Sequence, residues 1–265
     1  MTASATMPSA AMPANAVPHV PPFTWVTVFT RMLAIQGAWN YETLLGNGIG
    51  FSLEPVLRRL PGGVHGSAFK EAMTRESAYF NAHPYLASVA VGALARVELD
   101  GVPAERIERF RTALCGPLGS VGDRLVWAGW LPFSSLVALV CFGLGARPLA
   151  VVVTFLVLYN AGHLALRVWG LRVGWTRGLG VAGALANPVL RRGPTHLSRA
   201  AAAVAGLALP VTVARLLGGR PAVLAWVLVA CAVVAFVLVR LHRHVEGWKL
   251  TLVLIALFAL VSVAR

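Results

Sequence analysis

Residues 125–146, 148–166 and 221–239 contain no Asp, Glu, Lys or Arg, and 200–217 and 249–264 carry a single basic residue each, near an end. About 20 consecutive apolar residues cross the hydrocarbon core of a bilayer as a helix. Runs of this kind predict an all-α, polytopic membrane protein with about five C-terminal transmembrane helices. The composition agrees, with 57% of the 265 residues hydrophobic and 12% charged, against about 25% charged in soluble domains.

The net charge of +13 would suit nucleic acid only if the basic residues formed a dense stripe interleaved with aromatics. Instead the arginines sit at the ends of apolar runs, as topology signals and lipid-headgroup contacts. No nucleic-acid partner is expected. Cys115, Cys141 and Cys231 share no C-x-x-C or Cys/His spacing, so neither a disulfide framework nor a cysteine-based metal site is implied.

Composition shifts at residues 115–127. Gly116, Gly119, Gly122 and Pro117 are expected to break any continuous helix there, and Asp123 with Arg124 puts charge at the doorway of the first span. Irregular backbone and ionisable groups at a membrane boundary are tolerated where they are buried in protein or line a cavity. The chain then divides into a disordered tail (1–22), an N-terminal region of amphipathic and re-entrant helices (23–115), and a transmembrane region (116–265) with a broken helix at 116–123. The tail has prolines at 8, 13, 18, 21 and 22 and no Lys or Arg, which argues against a signal peptide.

Within 23–115, Val28, Met32, Ile35 and Trp39 recur at roughly helical spacing, and Gln36 and Asn40 (i, i+4) fall on one helix face. Residues 43–53 are uncharged but too few to span, so a partly inserted or protein-covered segment is expected. Residues 67–80 are amphipathic and end before Pro84, whose ring disfavours helical geometry at the preceding residue. Residues 85–95 are apolar but short, a re-entrant or interfacial arm. Residues 103–114 read as a surface helix with a solvated charged face.

The uncommon polar residues are Gln36, Asn40 and Glu42, then Asn81 and His83, then Asp123, and lastly Asn160, His163 and Arg167. Amides and carboxylates hydrogen-bond sugar hydroxyls, and aromatic faces such as Trp39, Tyr41 and Trp127 suit sugar C–H faces. For each residue alone, a satisfied helix-end or interhelical hydrogen bond is the favoured role, and Asn160 with His163 is read that way. Glu42, His83 and Asp123 share no metal-ligand spacing. No nucleotide-binding glycine signature, nucleophile elbow or H-E-x-x-H helix is present. No catalytic residue, cofactor or metal is expected.

Taken in order, several stretches resemble the IID membrane subunit of the mannose/fructose/sorbose family of bacterial sugar phosphotransferase systems. They are Arg31-x4-Gln36-Gly37-x-Trp39-Asn40-Tyr41-Glu42, Gly50-Phe51-x3-Pro55, and Phe80-Asn81-x-His83-Pro84 with Gly92 and Glu98. Gly116-Pro117-Leu118-x2-Val121-Gly122-Asp123-x3-Trp127 with Pro132 follows, then Tyr159-Asn160 and Gly170-x3-Gly174-x3-Gly178. The resemblance implies a trimer-forming, all-helical inner-membrane subunit paired with a IIC subunit. Together they would move a hexose inward, where the IIB subunit, charged through IIA, phosphorylates it. The IID subunit itself carries no phosphoryl group. Gln36, Asn40, Glu42, Asn81, His83 and Asp123 would then serve sugar contact or the IIC interface.

The chain departs from the family pattern in three places, the first being the 22-residue tail, which has no obvious counterpart. Only Leu217-Gly218-Gly219-Arg220-Pro221 stands where relatives carry a long extracytoplasmic insertion, and Leu131 replaces a usual basic residue before Pro132. A shortened, non-transporting scaffold for the soluble phosphocarriers is the alternative this raises. A membrane enzyme using Glu42, His83 and Asp123 is a third class. The loops 167–199 and 240–249 hold most of the basic residues of the C-terminal half, which by the positive-inside rule puts the N-terminus in the cytoplasm and the C-terminus outside.

Overall fold

A computed structural model describes residues 19–216 and a few isolated positions beyond them. The expected spans at 221–239 and 249–264 lie outside the described residues. In chain order the helices are α1 (Pro22–Leu33), α2 (Gly46–Leu57), a 3-10 turn (Gly63–His65), α3 (Ser67–Ser77), α4 (Ala87–Leu99) and α5 (Ala104–Gly122). A π-helical stretch (Asp123–Trp130) leads into α6 (Leu131–Gly143) and α7 (Pro148–Arg177). A 3-10 turn (Gly178–Val181), the single-turn α8 (Ala182–Leu185) and α9 (Pro188–Leu216) complete the set. Among the described residues, three continuous helical runs are long and apolar enough to cross a membrane: Ala104–Gly143, Pro148–Ala184 and Leu190–Leu216. They contain most of the three earlier expected spans.

The expected break at 116–123 does not occur. Helix α5 runs through Gly116, Pro117 and Gly119, and the backbone departs from α geometry only afterwards, where the N–H of Leu131 reaches back five residues to the Val126 carbonyl. A helical glycine costs only about 1 kcal/mol relative to alanine, and Pro117 removes a single ladder donor. Against that stands a continuous buried stripe, Ile107, Arg111, Leu114, Leu118, Gly122 and Leu125. The stripe also corrects the expectation of a fully solvated charged face over 103–114, because Arg111 points inward.

The described residues form two compact units, one comprising residues 19–135 with Phe155–Ala201, the other Leu136–Thr154 with the described residues from Ala202. In the first, α4 is the centre. Its 13 residues are almost all buried, as expected of a helix that is apolar or small on every side, and at about 1.5 Å per residue it is too short to span. One flank meets α7 through glycines. A methyl group on Gly92 would overlap the Leu171 carbonyl, on Gly170 the Ser88 hydroxyl, and on Gly174 the Val89 carbonyl. Small-xxx-small spacing lets two backbones approach in this way. Helix α2 packs against α1, α3 and α4, and its buried face, including Ile49, Leu53 and Val56, meets the expectation of a protein-covered segment.

Buried ion pairs tie α3, α4 and α5 together. Arg75 grips Glu98 through three bonds of 2.7–3.0 Å. Arg111 donates to Glu76 Oε2 at 2.9 Å, and to the Glu76 and Ala78 carbonyls at 3.1 and 3.2 Å. In the second unit, Thr212 donates to the Leu139 carbonyl at 3.3 Å, and Arg215 donates to the Phe142 and Ala146 carbonyls while lying over the Phe142 ring. The last turn of α6 thereby gains donors for its free carbonyls.

Candidate functional site

Polar chemistry gathers at two places in the first unit. The first is the loop between α1 and α2. Helix α1 stops at Leu33 and turns follow, with Ala34 N–H bonding the Arg31 carbonyl at 3.0 Å and Gly37 N–H the Ala34 carbonyl at 2.8 Å. Gln36 and Asn40 therefore share no helix face, contrary to their i, i+4 spacing. Asn40 closes the loop instead. Its Oδ1 accepts the Glu42 and Thr43 N–H groups at 2.9 Å each, and its Nδ2 donates to Thr43 Oγ1 at 2.9 Å, the local bonding for which Asn is favoured in turns. Leu44 takes a left-handed φ of 49°, and the loop is pinned to Phe80 by Leu45 N–H to the Phe80 carbonyl (3.0 Å) and Phe80 N–H to the Thr43 carbonyl (3.1 Å).

This construction turns Trp39 and Tyr41 outward, rings in T-shaped contact at 4.9 Å, with Tyr41 88% exposed. Gln36, Glu42, Asn81 and Asp123 are likewise exposed, and their side chains have no hydrogen-bond or ion-pair partner among the described residues. Of the six residues singled out in the sequence, only His83 is fully buried.

His83 belongs to the second place, a packed group with Tyr85, Trp127, Tyr159, His163 and Arg167. The His83 ring lies 5.0 Å from Tyr85 and 5.1 Å from Trp127. Tyr85 stacks on His163 at 4.1 Å and shares a 2.8 Å hydroxyl–hydroxyl hydrogen bond with Tyr159. Arg167 Nε donates to His163 Nε2 at 2.8 Å, which leaves the His163 proton on Nδ1, 3.3 Å from Asn160 Oδ1. Arg167, 2% exposed, also donates to the Met32 carbonyl at the end of α1 and lies over the Tyr85 ring at 5.1 Å. No carboxylate compensates this buried cation among the described residues. One helix-end carbonyl, an imidazole and a π face do so.

The π-helical stretch positions this group. Gly122, at its entrance, touches His83 so closely that any side chain would overlap the imidazole Cβ. Within the stretch, Trp127 faces His83 while Leu125 and Val126 are buried. The extra residue per turn in π geometry re-aims side chains in this way. Tyr85 N–H donates to His83 Nδ1 at 3.2 Å, so the ring proton sits on Nε2, and that buried atom has no partner among the described residues. The site thus holds one neutral, unused N–H donor walled by aromatic rings. Sequence reasoning singled out His83, Asn160, His163 and Arg167 but missed Tyr85 as their link. Position 85 carried no signal of its own, because the partners it links to His83, namely Tyr159, His163 and Arg167, lie 74 or more residues away.

Burial, with Arg167 and His163 adding to it, pushes the His83 imidazole down from 6.5 to about 4. A histidine whose pKa falls on folding binds its proton more readily unfolded. Its stabilising contribution is therefore full above pH 6.5, and is lost progressively down to about pH 4. Thermal unfolding of the detergent-solubilised protein across that window should show this slope, and His83→Asn should flatten it relative to wild type. Parallel profiles would rule out a buried neutral His83.

Residues 23–213 match the family described as the PTS system mannose/fructose/sorbose family IID component. The chain belongs to this family. The PTS system mannose-specific EIID component of Escherichia coli (strain K12) is 32% identical over 161 residues, 58% of this chain and 55% of that protein. The fructose permease IID component of Bacillus subtilis (strain 168) is 28% identical over 168 residues, 61% of this chain and 59% of the relative. The matches thus span little more than half the length of these curated relatives. A chain in the cryo-EM structure of the mannose transporter ManYZ with microcin E492 shares the fold, with a TM-score of 0.55, 23% identity, and coverage of 93% of this chain and 96% of that one. This IID component is a multi-pass protein of the bacterial inner membrane and, like its family, a subunit without catalytic chemistry of its own.

Proposed function

We propose that this IID component works with a IIC subunit to carry a hexose inward across the membrane, for phosphorylation by IIB supplied through IIA. The family match over residues 23–213 carries this reading. The chain would assemble as a trimer of IIC–IID pairs and cross the membrane about five times, with its N-terminus cytoplasmic, its C-terminus outside and residues 23–115 forming the N-terminal region. Gln36, Glu42, Asn81 and Asp123 present exposed amides and carboxylates with no partner among the described residues, so they are available to a sugar or to the IIC surface. Asn40 shapes the loop that presents Glu42, and His83 supplies a donor from beneath Trp127.

Uptake of labelled 2-deoxyglucose by cells supplied with the cognate subunits tests the reading. Glu42→Gln and Asp123→Asn should each reduce uptake to background while membrane insertion is unchanged. Normal uptake in both variants would remove these residues from the working site. The short loop at 217–221 motivates a second reading, a non-transporting scaffold for the phosphocarriers. Wild-type protein that binds IIB yet supports no uptake would favour it.

A further inference from the structure

We propose that a cavity beside the start of α9 holds an acyl chain of one anionic phospholipid, with its headgroup at Arg191 and Arg192. The cavity is about 420 Å³, lined by Leu125 and Trp130 of the π-helical stretch, Ala165 and Trp169 of α7, and Leu190 and Leu197 of α9. Most of these lie on helical runs apolar enough to cross the bilayer, so the medium that fills the slot is hydrocarbon. Leu190 and Leu197 are two turns apart, which makes the slot about 10 Å long down α9 and suits an extended chain.

Charge selects the lipid. Arg191 and Arg192 directly follow Leu190, are exposed, and have no ion-pair partner among the described residues. Between Asp123 and Glu246 the sequence contains no acidic residue, although it contains twelve arginines. The counter-charge for this part of the molecule is therefore supplied from outside, and long basic side chains adjoining an intramembrane pocket can reach anionic headgroups. An apolar side chain from a partner would fill the slot but leave both guanidinium groups uncompensated, whereas a phospholipid supplies tail and anion together.

Native mass spectrometry of the purified full chain, titrated with palmitoyl-oleoyl phosphatidylglycerol or phosphatidylethanolamine, tests the site. One phosphatidylglycerol per chain should be retained in preference to phosphatidylethanolamine. Arg191→Ala/Arg192→Ala should weaken that retention roughly 25-fold, at about fivefold per basic residue. Both arginines are exposed, so this variant leaves packing intact. Ala165→Trp, which plugs the slot, should abolish retention, while Arg172→Ala/Arg177→Ala, with the same loss of charge elsewhere, should not change it. Equal retention of the two lipids, equal weakening by the two arginine pairs, or undiminished binding to a folded Ala165→Trp variant would each overturn the proposal. So would loss of the bound lipid on adding a IIC subunit, since the slot would then be a protein interface.

Discussion

Gly174→Val is expected to eliminate the folded protein, so that little monodisperse material survives detergent extraction. Overpacking an apolar core typically costs about 1–3 kcal/mol when side chains can shift. Here the atoms in the way are backbone. Beyond the Val89 carbonyl, a Cβ at position 174 would sit 2.7 Å from the Ala93 nitrogen and 3.0 Å from the Gly92 carbonyl carbon. Relief requires α4 and α7 to separate along the whole seam that Gly92, Gly170 and Gly174 share, so the cost should reach or exceed the top of that range. Gly116→Ala is the control. Nothing lies within 4 Å of a Cβ there, and the substitution should be neutral or stabilising by about 0.4–1 kcal/mol through the unfolded chain. Wild-type yield and melting temperature for Gly174→Val would refute close contact of the two helices.

The second large effect is expected at Arg111. Arg111→Met leaves Glu76, 0% exposed, without the guanidinium on its Oε2 and with Oε1 already unpartnered. Removing one member of a buried pair costs about 3–5 kcal/mol, whereas replacing both by apolar residues of similar size is often neutral. Arg111→Met/Glu76→Met should therefore recover most of the stability lost in the single variant, as read from thermal unfolding in detergent.

The pH dependence gives the pair a second signature. Burial already pushes the Glu76 carboxyl up from 4.5 to about 8, and Arg111 is the largest pull in the opposite direction. A carboxyl whose pKa rises on folding stabilises the fold at low pH and loses that contribution as pH rises from its unfolded towards its folded value. Both proteins hold a neutral Glu76 below about pH 8, so the deficit of Arg111→Met should be constant there and grow only above about pH 8, where the wild-type carboxyl ionises against Arg111 and that of the variant does not. A deficit independent of pH would mean that Arg111 acts through packing on Phe80, over which it lies at 5.4 Å, rather than through charge.

Both effects were partly legible in the chain. Gly92 and Gly170-x3-Gly174 stand in the sequence at spacings known from close helix pairs, yet nothing local says that they face each other across about 80 residues. Glu76 and Arg111 fall on helices read correctly as amphipathic, but an arginine amid Glu105, Arg106, Glu108 and Arg109 looks like part of a solvated face. Its inward direction follows from the stripe of Ile107, Leu114 and Leu118, which continues past Pro117 because packing outweighs one lost hydrogen bond. The functional residues divide in the same way. Asn40 was marked by residue type and turned out to organise its loop, while Tyr85 became visible only once α4, α7 and the π-helical stretch were brought together.

By itself, then, the sequence determined the solvent: uncharged runs of bilayer length require helices in lipid, because each backbone group there must be satisfied within its own segment. It also determined the family, through motifs that keep their order and spacing. Only the tertiary structure decided where the chain bends and which polar groups meet. Helix continuity through Gly116–Gly122, the Gly92–Gly174 seam, the Arg111–Glu76 pair and the aromatic enclosure of His83 all depend on contacts between residues far apart in the chain. Those contacts decide between local backbone states that differ by about 1 kcal/mol at a glycine and about 3 kcal/mol at a proline, amounts that tertiary packing can override.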